Sequence, residues 1–140
     1  MADVMNPHLV HLLDRLVEDV EGVSAAVVST DGLIIQRSSG LSKNAGDQLA
    51  AQCSGLASLS RAITQSEYVN GGPVQQTMIE MQDKMLFIIS AGQNACLVLL
   101  TPAEDVNLGN VAFSMTRMVA QVGRHLSAEQ RVAAGFAPSS

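Results

Sequence analysis

Few side chains in this sequence have the type and spacing that chemistry demands. His8 and His11 stand three residues apart on one side of a helix-forming stretch with Asp14 and Arg15, an arrangement that can hold a metal ion or relay a proton. No third ligand accompanies them, and solvated histidines are the simpler account. His125 falls near the expected end of a helix, where an imidazolium complements the helix dipole. Cys53 and Cys96 lie far apart in apolar runs, with no CxxC and no Cys/His cluster, so they read as buried reduced thiols. No serine sits in a GxSxG elbow, and neither GxxxxGK nor a GxGxxG after a strand is present. Asp31-Gly32 could be taken for an acidic site, but a hairpin turn explains it better. The expected catalytic, cofactor and metal sets are therefore empty.

Composition narrows the remaining classes. At 140 residues the chain can bury one core. An apolar fraction of 47% against 15% charged residues argues against disorder and for apolar surface buried by another chain. Aromatics at 3% supply few stacking platforms, and a net charge of -5 repels a phosphate backbone, so nucleic acid is excluded as a partner. No stretch reaches the roughly 18 to 20 apolar residues of a membrane span, and no leader is visible. A soluble cytoplasmic protein is expected.

The elements that must position any site follow from periodicity. Asn6 and Pro7 offer an N-cap and a first-turn proline, Leu9, Leu12, Leu13, Leu16, Val17 and Val20 repeat at helical spacing, and Gly22 ends the helix. Val23 to Ser29 and Leu33 to Ser38 read as two strands joined by a two-residue Asp31-Gly32 turn. Ser39 to Gly46 is a polar link to a helix over Asp47 to Ser66, and Gly71-Gly72-Pro73 marks the loop after it. Val74 to Met81, of mixed polarity, reads as an edge strand on which Met78 and Met81 are free to pack at an interface. Met85 to Ala91 and Ala95 to Leu100 are apolar on both faces and belong at the centre of a sheet covered on both sides. A last helix carries Leu108, Val111, Met115, Met118, Val119 and Val122 and should end near His125. These elements make an α+β sandwich in three α/β/α layers around a five-stranded antiparallel sheet. Residues 1–6 form an N-terminal extension, 7–126 the domain and 127–140 a flexible tail.

The helix over Asp47 to Ser66 has a use for both faces. Leu49, Leu56, Leu59 and Ile63, with Cys53 beside them, form the stripe expected to face the core. The opposite side carries Ala51, Gly55, Ser58 and Ala62, where a lone surface helix would carry charge. Glycine inside a helix costs roughly 1 kcal/mol relative to alanine, so Gly55 points to the close approach of another backbone. Two such helices packed face to face are expected.

The run Gly22-Val23, then Ala25-Ala26-Val27-Val28-Ser29-Thr30-Asp31-Gly32-Leu33, followed by this Ala/Gly/Ser-rich helix and the later strand pairs, resembles the Roadblock/LC7 family over about Leu9 to Leu126. Within it the chain looks like the stand-alone bacterial proteins encoded with a sensor-kinase-like protein and a Ras-like small GTPase. The resemblance implies a profilin-like sandwich with strand order 2-1-5-4-3. It also implies a homodimer whose second helices pack together and whose third strands pair across a two-fold axis. The expected dimer residues are Ala51, Ser54, Gly55, Ser58, Ala62, Gln75, Thr77 and Ile79. Family members serve Ras-like GTPases as platforms, and the gliding-motility member activates GTP hydrolysis without an arginine finger. Arg37, Arg61 and Arg117 likewise lie within elements, so any activation would act by rearranging the GTPase. The flanks of the dimer stripe, Lys43, Asp47, Arg61 and Gln65, are the expected GTPase contacts, with membrane recruitment only through partners.

The reading is thus a non-enzymatic, homodimeric regulator or adaptor of a small GTPase. The alternative is a small-molecule sensor domain, whose mark would be an enclosed polar pocket. The sequence offers few buried polar residues to build one. A hydrolase using Cys53 or Cys96 is the remaining alternative.

Overall fold

The computed structural model describes residues 6–135, with side chains described through 126. Helix α1 spans Pro7–Val20, and the Asn6 side chain accepts hydrogen bonds from the backbone N–H groups of His8 and Leu9, as its position before Pro7 predicts. The helix closes one residue earlier than expected. Glu21 takes the left-handed conformation (φ 54°), donating to the Glu18 carbonyl while Gly22 donates to that of Val17. Gly22 is needed for proximity instead: a Cβ there would lie 3.2 Å from the Leu100 carbonyl oxygen.

Strands β1 (Ser24–Ser29) and β2 (Ile34–Arg37) form the expected hairpin, with a different turn. Gly32 donates to the Ser29 carbonyl and Ser29 to that of Leu33, so the loop is Thr30-Asp31-Gly32, with Gly32 at φ 92°. This is the three-residue hairpin in which glycine occupies the left-handed position after the turn, not the two-residue turn read from Asp31-Gly32. The polar link is shorter than expected, because Ser42 caps helix α2 (Lys43–Gln65) by accepting from the Ala45 N–H. Asp14 of α1 holds that link, accepting from the Ser39 N–H at 2.7 Å and the Ser39 hydroxyl at 2.6 Å.

Strands β3 (Gln76–Glu80), β4 (Lys84–Ser90) and β5 (Ala95–Pro102) complete the sheet. Its order is β2-β1-β5-β4-β3, all pairs antiparallel, as the resemblance implied. Helix α3 runs Leu108–Gly135, ten residues beyond His125 and into the stretch expected as a tail; residues 136–140 and 1–5 lie outside those described.

The two-sided apolar character of β4 and β5 is explained by two cores. Leu9, Leu13 and Leu16 of α1 and Val111, Met115, Met118 and Val122 of α3 pack on Val27, Phe87, Leu97 and Leu99. On the other face, Ala50 and Cys53 of α2 pack on Ala26, Val28, Ile88 and Val98. Alternate residues of one strand thus serve opposite layers. Helix α2 packs against β1 and β2, toward one side of the sheet.

Candidate functional site

The face that α2 turns to the sheet is made of small residues. Gly46, Ala50 and Cys53 are buried, and Ala57, Ser60 and Thr64 continue their line half-buried. Leu49 and Leu56 are half-buried and pack against this core as expected, while Leu59 and Ile63 are 67% and 60% exposed, which corrects the assignment of those two to the core. At 100° per residue these two lie roughly 100–140° round the axis from the inward direction. The large residues dominated the apolar periodicity, but the sheet admits the small stripe.

The outer side matches the expectation of an uncharged surface. Ala51, Gly55, Ser58 and Ala62 are all exposed, and a Cβ built on Gly55 would meet nothing within 4 Å. No part of the described chain approaches Gly55, so nothing inside one protomer accounts for a glycine there. Ser54 stands apart from this group. Its hydroxyl donates to the Thr30 carbonyl at 2.8 Å, which ties α2 to its own hairpin and spends the side chain within the protomer.

Strand β3 is paired along one edge only among the described residues. Met78, Ile79 and Met81 are 47%, 37% and 41% exposed, Gln75, just before the strand, is exposed, and Thr77 is half-buried. The other methionines considered, Met85, Met115 and Met118, are in the core as their positions required.

The four expected GTPase contacts do not form one patch. Lys43 and Asp47 pair with each other at 2.7 Å in the first turns of α2, both about half exposed. Arg61 lies eighteen residues further on, about 27 Å along the helix at 1.5 Å per residue. Arg61 and Gln65 instead meet Gln75 and Thr77 in a solvent-open cleft of about 600 Å³ beneath the C-terminal half of α2. Its apolar lining includes Leu56 and Ile88, and both cysteines reach it. The cleft exists because Ala57, Ser60 and Thr64 are too short to fill the space a Leu or Met would occupy. That inward line of small residues was the sequence signal for it.

Cys53 is buried and Cys96 half-buried, and both are free thiols. Burial first, then the neighbouring Cys96, pushes the Cys53 thiol up to about 11 from its usual 9.0. Burial also raises Cys96, against the opposing pull of the Arg61 guanidinium. A thiol held protonated is a poor nucleophile, so the geometry gives no support to a cysteine hydrolase.

The remaining candidates are occupied structurally. His125 lies within α3 rather than at its end, and its ring packs on His8 with centroids 4.5 Å apart. His8 and His11 are exposed, and no group of three or more His, Cys, Asp or Glu among the described residues could hold a metal ion. Arg37 donates through Nε to the Leu41 carbonyl at 2.9 Å, and the Arg117 guanidinium lies 5.6 Å from the Phe113 ring centroid. No helix among the described residues is long and apolar enough to cross a membrane.

Comparison with known proteins agrees with this architecture. No curated protein matches the sequence. Among solved structures, a Roadblock/LC7 domain from Streptomyces avermitilis is 32% identical at a TM-score of 0.77, the match covering 84% of this chain and 96% of that one. MglB of Myxococcus xanthus superposes at 0.79 with 14% identity, over 89% of this chain and 99% of that one. Profilin IA of Acanthamoeba castellanii reaches 0.54 with 12% identity, over 82% and 96%. The last two are likenesses of fold alone, and they make the sandwich profilin-like. The family model of the Roadblock/LC7 domain matches residues 9–101, from the first buried leucine of α1 to the end of the central strand β5. The chain belongs to the Roadblock/LC7 domain family.

Proposed function

We propose that the protein is a non-enzymatic adaptor that works as a homodimer and binds a Ras-like small GTPase in a signalling system. One observation carries the reading: the same protomer exposes an uncharged helix face and a strand edge with no partner among the described residues. Leu59 and Ile63 expose most of their surface next to Gly55 and Ala62, and β3 offers a free ladder edge with Met78, Ile79 and Met81 exposed around it. Exposed apolar area and an open edge in one molecule favour association. A second copy related by a two-fold axis satisfies both at once, since β3 can pair with its mate while the α2 helices meet. In that dimer Ala51, Gly55, Ser58, Ala62, Leu59 and Ile63 contribute from α2, and Gln75, Thr77 and Ile79 from the edge.

The GTPase assignment rests on family membership, and the likeness to MglB adds the fold. Among the described residues Arg37 donates to the Leu41 carbonyl and Arg117 lies against the Phe113 ring, so neither is held out from the surface as a finger toward a nucleotide. The proposed action is therefore tethering, or rearrangement of the GTPase's own residues, with a sensor-kinase-like protein as a possible third component. Lys43 and Asp47 at one end of α2 and Arg61 and Gln65 at the other would contact the GTPase as two separate points.

The test titrates the pure protein against Ras-like GTPases of its own organism, each loaded with GDP or with a non-hydrolysable GTP analogue. A complex with one of them, or a changed hydrolysis rate, is expected. Neither complex nor rate change with any of them would refute the assignment.

A further inference from the structure

The chain has two cysteines, far apart in sequence and on different layers of the fold. Cys53 is on α2 and Cys96 on β5, and Cys96 packs against the same apolar cluster that buries Cys53. Hydrogen bonds fix how the two elements meet. Ser54, the residue after Cys53, donates its hydroxyl to the Thr30 carbonyl at 2.8 Å, and the Thr30 N–H donates to the Asn94 carbonyl at 3.0 Å. Those two bonds tie this turn of α2 to the start of β5. Cys96 stands opposite Val28 in the β1–β5 ladder, and residues directly opposite point to the same face, here the one that Cys53 covers.

Two thiols sealed in a core would be inert, but these both line a solvent-open cleft. They are not equivalent. Burial raises the Cys96 thiol while the Arg61 guanidinium opposes that rise, and Cys96 is only half-buried. Cys53 is buried, and both influences on it, burial first and then Cys96, push it up. An oxidant in the cleft therefore meets Cys96 as the more reactive thiol, with Cys53 placed to resolve the product.

We propose that Cys96 is an oxidation site and that Cys53 closes on it in a disulfide that staples α2 to β5. With hydrogen peroxide as the oxidant, the Cys96 sulfur attacks one peroxide oxygen and the O–O bond breaks. The departing hydroxide takes the thiol proton as water, which leaves Cys96 as a sulfenic acid. The Cys53 sulfur then attacks the Cys96 sulfur, the S–O bond breaks, and the hydroxide released takes the Cys53 proton as a second water. Two thiols lose two electrons in all, and one peroxide is reduced to two waters. The pair lies on the inward side of α2, away from the exposed stripe of Ala51, Gly55 and Ser58, so the site does not rest on the adaptor reading. The staple would fix the depth at which α2 sits on the sheet.

The experiment treats the full-length protein with hydrogen peroxide, blocks remaining thiols with iodoacetamide in urea, and maps the peptides by mass spectrometry without reduction. The Cys53 and Cys96 peptides should be found cross-linked within one chain, and dithiothreitol should release them. The oxidised protein should melt higher by roughly 10 °C, as expected for a disulfide that closes a long loop. In Cys53→Ala protein the Cys96 sulfenic acid should persist and be trapped by dimedone, whereas in Cys96→Ala protein Cys53 should stay reduced. Circular dichroism checks that both variants fold, and the wild-type cross-link decides the matter if either does not. A link between chains instead of within one, dimedone capture at Cys53 in the Cys96→Ala protein, or both thiols still open to iodoacetamide after peroxide would each overturn the proposal.

Discussion

Thr101 sits on β5 with 1% of its surface exposed, and its hydroxyl finds no hydrogen-bond partner among the described residues. A buried unsatisfied hydroxyl costs free energy that an isosteric methyl does not. Thr101→Val should therefore stabilise the protein by about 1 kcal/mol, read from the midpoint of urea unfolding. Cys53 makes the opposite kind of contribution, one that depends on pH. Its folded pKa of about 11 is above the usual 9.0, so the folded state binds the proton more tightly than the unfolded chain does. That stability is complete below pH 9.0 and is lost as pH rises toward about 11. Melting temperature should fall over this window, and Cys53→Ala should flatten the fall. That the two thiols stand in apolar surroundings was legible from their neighbours, but their shared cleft was not, because positions 53 and 96 come together only when α2 packs on the sheet.

At the scale of the element, α2 shows how far periodicity reaches. Its existence, its cap and its two-faced character are local properties, set by Ser42 and by the spacing of apolar and small residues. Which face looks inward is not local. Ala50 is fully buried and Leu59 mostly exposed, because the helix must lie close to β1 and β2, and only small side chains permit that. The open space above Gly55 yields a clean prediction. A Cβ at Gly55 meets no atom within 4 Å among the described residues, and Gly55→Leu removes a helix-interior glycine, so the protomer should be more stable by about 1 kcal/mol. The same side chain would block a second helix, and size-exclusion with light scattering should show the dimer lost or weakened. A variant that remains dimeric as before would show that α2 meets its mate elsewhere.

For the whole molecule, the surface left uncovered is the informative quantity. A domain of 14.7 kDa that keeps β3 open on one edge and leaves Leu59, Ile63, Met78 and Met81 in water should associate in solution. Light scattering is expected to give twice that mass, and the melting temperature should rise with protein concentration, as linkage requires of a dimer. A concentration-independent monomer would remove the basis for the proposed interface. The sequence by itself determined the number and order of the elements, the antiparallel pairing of neighbours and the central place of β4 and β5. Each of these depends on residue type and short-range spacing, where hydrophobic period, caps and turns act directly. Only the tertiary structure decided the three-residue turn at Gly32, the exposure of Leu59 and Ile63, the use of Ser54 within its own hairpin and the cleft that gathers Arg61, Gln65, Gln75 and Thr77. Those depend on how closely one layer can approach another. That distance is set jointly by residues far apart in the chain, and no single stretch of it carries the answer.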